Sequence, residues 1–411
     1  MKLNVFFGRS LVGRIDRTWS FRYDETWLER PDSLGISLSL PLQQEQLPKK
    51  TTRNFFANLL PEATLRESIA KAHRIAYDDD FALLELMGAE CAGALQIISE
   101  KSDPLIGRGF YEEVSIEDLC ARLRKRPSVP LAEFAADLRM SLAGAQDKMP
   151  VLFQKGAFSL PRDGAPSSHI LKPASPRFPD SVVNEAFSMK LARLLGLPVP
   201  NFKIIPSDPP LFLIERYDRK FLRDGSVQRI HQEDFCQALG IAHQKKYESD
   251  GGPGFAKCAD VLGRTEAPGA NRLRLARWAI FNLLIGNADA HGKNLSLHYE
   301  NAAIPSMAPC YDLLSTAIYP ELSRKMAMHI GGERLIDRIY RDQWTRFSKD
   351  VNLNVRRIFA ELENMIAKIT ERAPEVAGEM ECEYGRSEFY ANALSVVDRA
   401  CANAKQALDQ P

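Results

Sequence analysis

Alternation of apolar and polar positions opens the chain. Leu3-Asn4-Val5-Phe6-Phe7, a Gly8-Arg9 turn, then Leu11-Val12-Gly13-Arg14-Ile15 predict a β-hairpin. Phe21-Arg22-Tyr23 and Ile36 to Leu40 (ISLSL, with Ile36, Leu38 and Leu40 on one face) predict further strands, the second ended by Pro41. The period then changes. Asn54 to Leu60 places Phe55, Phe56, Leu59 and Leu60 at helical spacing, and Glu62 to Ala72 carries Leu65 and Ile69 at i, i+4. Asp78-Asp79-Asp80 before Phe81 to Leu84 reads as an acidic helix start, and Gly93 to Ile98 as a strand. The aspartate run could bind a cation, but a solvated helix cap suits it better.

Further on, Leu138 and Met140, and Val151-Leu152-Phe153, read as strands around a small-residue loop. His169 to Pro173 is a short strand ending in Lys172, Val182 to Leu195 a helix closed by Gly196 and Pro198, and Leu211 to Asp218 a buried strand running into polar residues. Past Gly225 the pattern is mostly helical. His231 to Phe235 predicts a helix start, with Phe235 and Leu239 at i, i+4. Lys245 to Gly254 (KKYESDGGPG) reads as a flexible loop, a cleft lining or a solvated connector. Arg272 to Ile285 predicts a long helix. Val355 to Ile369 predicts an amphipathic one with Ile358, Leu362, Met365 and Ile369 on one face.

Composition narrows the class. The 411 residues are 45% hydrophobic and 26% charged, which fits two or three globular domains. A net charge of +1 argues against a wholesale nucleic-acid binder, and the short Arg324-Lys325 cluster reads as a solvated surface. No apolar run reaches the length of a membrane span and Met1 to Ser10 lacks a signal-peptide core, so a cytoplasmic protein is expected. Cys91, Cys120, Cys236, Cys258, Cys310, Cys382 and Cys401 are scattered without a CxxC pair, as free thiols in a reducing compartment would be.

The chemistry concentrates between Leu283 and Leu314. The apolar run Trp278 to Ile285 ends at Gly286-Asn287, and a polar loop follows with Asp289, His291, Lys293 and Asn294. Asn294 stands five positions after Asp289, and Asp312 twenty-three positions after it, room for a hairpin back to the same place. Phosphoryl transfer needs a carboxylate for the acceptor hydroxyl and oxygen ligands for magnesium, and kinase catalytic loops space an Asp and an Asn in this way. Each residue alone would suit a turn or a helix cap. The set inside six positions points to a site. The loop departs from the usual kinase order in that His291 follows the Asp. Upstream, Ser141-Leu142-Ala143-Gly144-Ala145-Gln146-Asp147-Lys148 is a small-residue loop whose amides could approach phosphates. By itself it reads as a tight turn. Paired with a downstream metal-binding Asp it becomes a candidate ATP lid. Lys172 could meet the α/β-phosphates or be a solvated edge lysine, and Glu185 could pair with it or face its own helix dipole. Glu215 to Tyr217 could be a nucleotide hinge or the end of an ordinary core strand.

Taken together, SLAGAQDK (141–148), HILK (169–172), ERYDR (215–219), KYESDGGPG (246–254), NADAHGKN (287–294) and YDL (311–313) resemble the HipA toxin kinases of bacterial HipBA toxin–antitoxin systems, nearly end to end. The resemblance implies an α+β, bilobal fold like that of protein and phosphoinositide kinases. It would comprise an extra α+β subdomain at 1–125, an ATP-grasping lobe at 126–218 and a mostly helical lobe at 219–411. It implies a serine/threonine protein kinase using ATP and Mg2+. Asp289 would be the base, with His291 beside it. Asn294 and Asp312 would hold the metal. Leu142, Ala143, Gly144, Ala145, Gln146, Asp147, Lys172, Glu215, Tyr217 and Lys293 would contact ATP. Ser141 would be the autophosphorylated serine that switches the enzyme off. Expected partners are a HipB-like helix-turn-helix antitoxin, operator DNA reached mainly through it, and an aminoacyl-tRNA synthetase substrate such as glutamyl-tRNA synthetase, whose modification arrests growth. A non-catalytic corepressor and a small-molecule or lipid kinase are the alternatives. Asn287-Ala288, Asp147 and Pro173-Ala174 depart from the family pattern without removing a catalytic group.

Overall fold

The computed structural model describes residues 2–101, 109–125, 148–300 and 304–409. The strands expected at Leu138 and Met140 and the loop from Ser141 to Asp147 lie outside the described residues. Two compact units form. The first collects Met1–Arg177, Asn201–His243 and Leu297–Ala303, the second Phe178–Pro200, Gln244–Ser296 and Ile304–Pro411. Among the described residues no helix is long and apolar enough to cross a membrane.

In the first unit, strands β1 (Lys2–Phe7), β2 (Ser10–Asp16), β3 (Phe21–Tyr23) and β4 (Leu95–Ser99) make an antiparallel sheet in the order β3-β2-β1-β4. Alternation sends Leu3, Val5 and Ile15 inward, and a bulge in the β1–β2 pairing, where the register skips Val12, buries Val12 as well. Helices Lys49–Ala57, Ala63–Ala72 and Asp80–Met87 complete that core with Phe55, Phe56, Ile69, Phe81 and Leu84. The side chain of Asp79 caps the third helix by accepting from the Ala82 amide, as the acidic run predicts.

The strand expected at Ile36 to Leu40 does not form. The segment is a turn closed by one Ser37–Leu40 bridge. Its Leu38 N–H donates to the Glu233 carboxylate at 3.0 Å rather than to a neighbouring strand. Apolar alternation supplied the face, but no ladder partner was at hand.

A second antiparallel sheet runs β5-β7-β6-β8-β10-β9, built from β5 (Phe110–Val114), β6 (Met149–Gln154), β7 (Ala157–Arg162), β8 (His169–Pro173), β9 (Phe202–Ile205) and β10 (Leu211–Glu215). Met149, Val151, Leu171, Leu211 and Leu213 pack with Leu119 and Cys120 of helix Ile116–Lys125. His231–Asp234 is a strand, not a helix start. Asp234 is the cap: it forms a capping box with Gln237, so the helix begins only at Phe235 and ends at Ala238.

The second unit is chiefly helical. Its helices are Ser181–Leu194, Phe255–Leu262, Pro268–Leu284, Arg341–Asp350, Val355–Tyr384 and Glu388–Asp409. Phe255 stacks edge-on against both Trp278 and Phe347 at its centre. Helix Val355–Tyr384 runs well past the expected Ile369, through Pro374, because Ala373, Val376, Ala377 and Met380 continue its buried stripe. Pro268 starts its helix at a position where no intrahelical N–H is needed.

Candidate active site

The loop after helix Pro268–Leu284 is stitched down residue by residue within the second unit. Gly286 turns the chain at φ 69°, and a Cβ there would meet Ala317 Cβ at 2.6 Å and Val396 Cγ1 at 2.7 Å. Only glycine fits that conformation and that space. Asn287, buried, donates from Nδ2 to Asn282 Oδ1 at 2.7 Å and accepts the Asp289 N–H at 3.1 Å. The Ala288 N–H donates to Thr316 Oγ1 at 2.8 Å, and its carbonyl accepts the Ala327 N–H at 2.8 Å. The backbone leading into Asp289 is therefore fixed while its carboxylate stays exposed. The Tyr247 hydroxyl donates to Asp289 Oδ1 at 2.7 Å, and the Tyr247 ring stands edge-on to His291 at 5.5 Å.

Gly292–Asn294 forms a short 3-10 turn, with His291, Lys293 and Asn294 all buried. The Asn294 N–H donates to the His291 carbonyl at 2.9 Å. Tyr311 then brings the downstream acid to this turn: its hydroxyl donates to the Lys293 carbonyl at 2.7 Å and shares a 2.6 Å hydrogen bond with Ser296. Asp312 follows directly, in the left-handed region at φ 52°. Such a conformation is uncommon outside glycine, although Asp tolerates it better than most residues, and it is a frequent mark of a constrained site. Asp289, His291, Lys293 and Asn294 thus share one loop, and the residue before Asp312, Tyr311, hydrogen-bonds to the backbone of that loop.

The Lys245–Gly254 segment is not the flexible connector that its glycines suggest. It folds into two 3-10 turns, His243–Lys245 and Glu248–Asp250, and seats itself on the polar loop. A Cβ on Gly292 would meet the Pro253 ring at 2.6 Å, and Glu248 Oε2 accepts the His329 N–H at 2.7 Å. Tyr247 is the residue that sequence reading missed. Its only local signal is an aromatic ring inside a charged, glycine-rich stretch.

The remaining candidates belong to the first unit. Lys172 lies on β8, an interior strand flanked by β6 and β10, and is only 5% exposed, which rules out a solvated edge lysine. Glu215 ends β10. Its N–H donates to the Asn201 carbonyl at 2.8 Å, and its carboxylate accepts Asn201 Nδ2 at 2.8 Å. The Tyr217 hydroxyl bonds the Gln232 side chain. Ser141, Leu142, Ala143, Gly144, Ala145, Gln146 and Asp147 fall outside the described residues.

The ERYDR stretch holds more than a strand end. Arg216 and Arg219 are fully buried beside Glu90 and Asp218, with contacts of 3.1 Å and 2.8 Å to Glu90 and 2.7 Å and 2.9 Å to Asp218. Arg229 also reaches Glu90. Burial alone would raise the Glu90 carboxyl, but the Arg219, Arg229 and Arg216 guanidiniums outweigh it and hold it down at about 2.

An antiparallel sheet with a buried lysine on an inner strand, and a helix-fed Asp loop with a second Asp returning to it, are parts of a kinase-like α+β protein. Residues 3–98 match the HipA N-terminal domain and residues 140–376 the HipA-like C-terminal domain. Y4mE of Sinorhizobium fredii is 40% identical over 411 residues, covering 96% of each chain. The serine/threonine-protein kinase toxin HipA of Shewanella oneidensis is 27% identical over 394 residues, 92% of this chain and 89% of that one. A solved structure of Shewanella oneidensis HipA with HipB and its operator DNA superposes with a TM-score of 0.85 at 25% identity, covering 100% of both chains. The chain belongs to the HipA family.

Proposed function

We propose that the chain is an ATP-dependent serine/threonine kinase that phosphorylates a protein, with Asp289 as the catalytic base. The observation that carries this reading is the Asp289 carboxylate, exposed at the end of a backbone segment held by Asn287 and Thr316. In the reaction the acceptor hydroxyl gives its proton to Asp289. Its oxygen bonds to the γ-phosphorus of ATP, the bond from that phosphorus to the β-phosphate oxygen breaks, and ADP leaves. Lys172 would hold the phosphates. The Glu215 N–H is already bonded to Asn201, so an adenine contact at that residue would fall to its carbonyl. Leu142 to Asp147 would cover the phosphates, and Lys293 would support the nucleotide side.

Asn294 and Asp312 suit magnesium. Among the described residues no group of three or more His, Cys, Asp or Glu could hold a metal ion. One carboxylate and one amide oxygen are the sparse, hard donor set that Mg2+ accepts when phosphates and water complete its shell. Bound there, the ion would neutralise charge on the phosphates. The Tyr311 hydroxyl bond to the Lys293 carbonyl supports that reading, because Tyr311 directly precedes Asp312.

On this reading the protein substrate would be an aminoacyl-tRNA synthetase, Ser141 would be the site of self-inactivation, and a HipB-like antitoxin would tether the chain to operator DNA, as the similar Shewanella oneidensis HipA is seen with HipB and its operator. The test is transfer from γ-labelled ATP in host lysate with purified chain. Label is expected on protein, the self-label on Ser141, and Asp289→Asn should lower transfer by at least a thousandfold. Label appearing in the metabolite fraction instead, or undiminished in the variant, refutes the reading.

A further inference from the structure

We propose that Tyr247 is a positioning residue for the transfer step: its hydroxyl pins Asp289 Oδ1 and leaves Oδ2 to take the acceptor's proton. The inference rests on Asp289 being the base and adds a residue that the loop motif does not contain. An exposed aspartate ordinarily samples several rotamers. Here the backbone is fixed by Asn287, so one further contact on the carboxylate fixes the whole side chain. The Tyr247 hydroxyl makes that contact at 2.7 Å, within the range of a good O–H···O bond.

The phenol arrives on a built arm. Its carbonyl accepts the Asp250 and Gly252 amides at 3.1 Å and 2.9 Å. Gly252 is needed there, because a Cβ would meet the Tyr247 carbonyl at 2.6 Å. Glu248, the next residue, is tied to the His329 amide, and Pro253 packs on Gly292. The Lys246 ammonium sits 5.5 Å from the Tyr247 ring centroid on one side, and His291 meets the ring edge-on. The arm is anchored to the polar loop at its base and at its tip, so the hydroxyl is aimed rather than merely nearby. Small misplacements of a reacting group carry large rate penalties, so pinning this carboxylate should act on turnover and not on nucleotide binding.

The experiment uses the full chain with Mg2+ and γ-labelled ATP, reading label on the chain itself and ADP release. Tyr247→Phe keeps the ring against His291 and removes only the hydroxyl. Its kcat should fall on the order of tenfold with KM for ATP changed less than about twofold, and its melting temperature should match the parent. Tyr247→Ala should lose as much in kcat or more. If Tyr247→Phe turns over as fast as the parent, or faster, the hydroxyl does not position Asp289 and the proposal fails. Loss in Tyr247→Ala alone would show a purely structural ring and overturns it equally. Asp289→Asn separates the two readings. A dead Asp289 variant beside an unaffected Tyr247→Phe sinks only the Tyr247 proposal, whereas a fully active Asp289 variant sinks the base assignment and the proposal together.

Discussion

Glu233 has no exposed surface, and its carboxylate accepts hydrogen bonds from the Ser37 hydroxyl, the Leu38 amide and, at 2.5 Å, the Tyr299 hydroxyl. All three donors are neutral. Burial pushes its carboxyl up to about 7, against the pull of the three donors. A carboxyl raised in the folded state stabilises the fold below its unfolded value near 4.5 and loses that contribution as pH rises through 7. Glu233→Gln keeps the shape and stays neutral. It should therefore melt higher than the parent at pH 8, by an amount on the order of 3 kcal/mol at most, and close to the parent at pH 5. Equal melting differences at the two pH values would contradict this. At the same scale, Asp312 and Asn287 illustrate what single residues reveal. Both were visible as polar residues in the chain, but the left-handed backbone of one and the bracing role of the other depend on neighbours folded around them.

Among the elements, the group that joins Glu90, Arg216, Asp218, Arg219 and Arg229 ties the Glu90–Gly93 turn to the end of β10. Gly93 contributes its N–H to Asp218 Oδ2 at 2.6 Å, and the Ser167 hydroxyl donates to Glu90 at 3.0 Å. Removing one charge from such a buried set leaves its partners desolvated and unpaired. Glu90→Ala should cost about 3–5 kcal/mol in urea unfolding. The depressed Glu90 carboxyl stabilises the fold above its unfolded value near 4.5, and that contribution drains away as pH falls through about 2. The parent should thus lose more stability than Glu90→Ala on acidification from pH 5 to pH 2.5, and parallel losses would count against the network. The sequence showed ERYDR as a strand running into charge. It did not show that Glu90, 126 residues upstream of Arg216, was the partner. Nor did it show why ISLSL is a turn: the acceptor for Leu38 stands 195 residues away.

For the whole molecule, the order of segments matters more than their number. The inner strand that carries Lys172 pairs with β10, and β10 comes from Asn201–His243, beyond a helix assigned to the other unit. A fragment of residues 1–177 lacks β9 and β10, so β8 would present an unpaired edge and an uncovered apolar face. That fragment should not melt cooperatively by circular dichroism, and a sharp transition like that of the full chain would show that the segment 201–243 is dispensable.

The sequence by itself determined what depends on neighbours in the chain. It placed the opening hairpin, the helices with a 3.6-residue stripe, the Asp79 cap, and the gathering of Asp289, His291, Lys293 and Asn294 into one loop. Periodicity and capping act over a few residues, so they are legible there. The tertiary structure alone decided that Lys172 is interior, that Tyr247 reaches Asp289 across 42 positions, and that Glu90 answers three arginines. Those pairings follow from strand order and loop closure, which bring distant polar groups together where burial obliges each to find a partner.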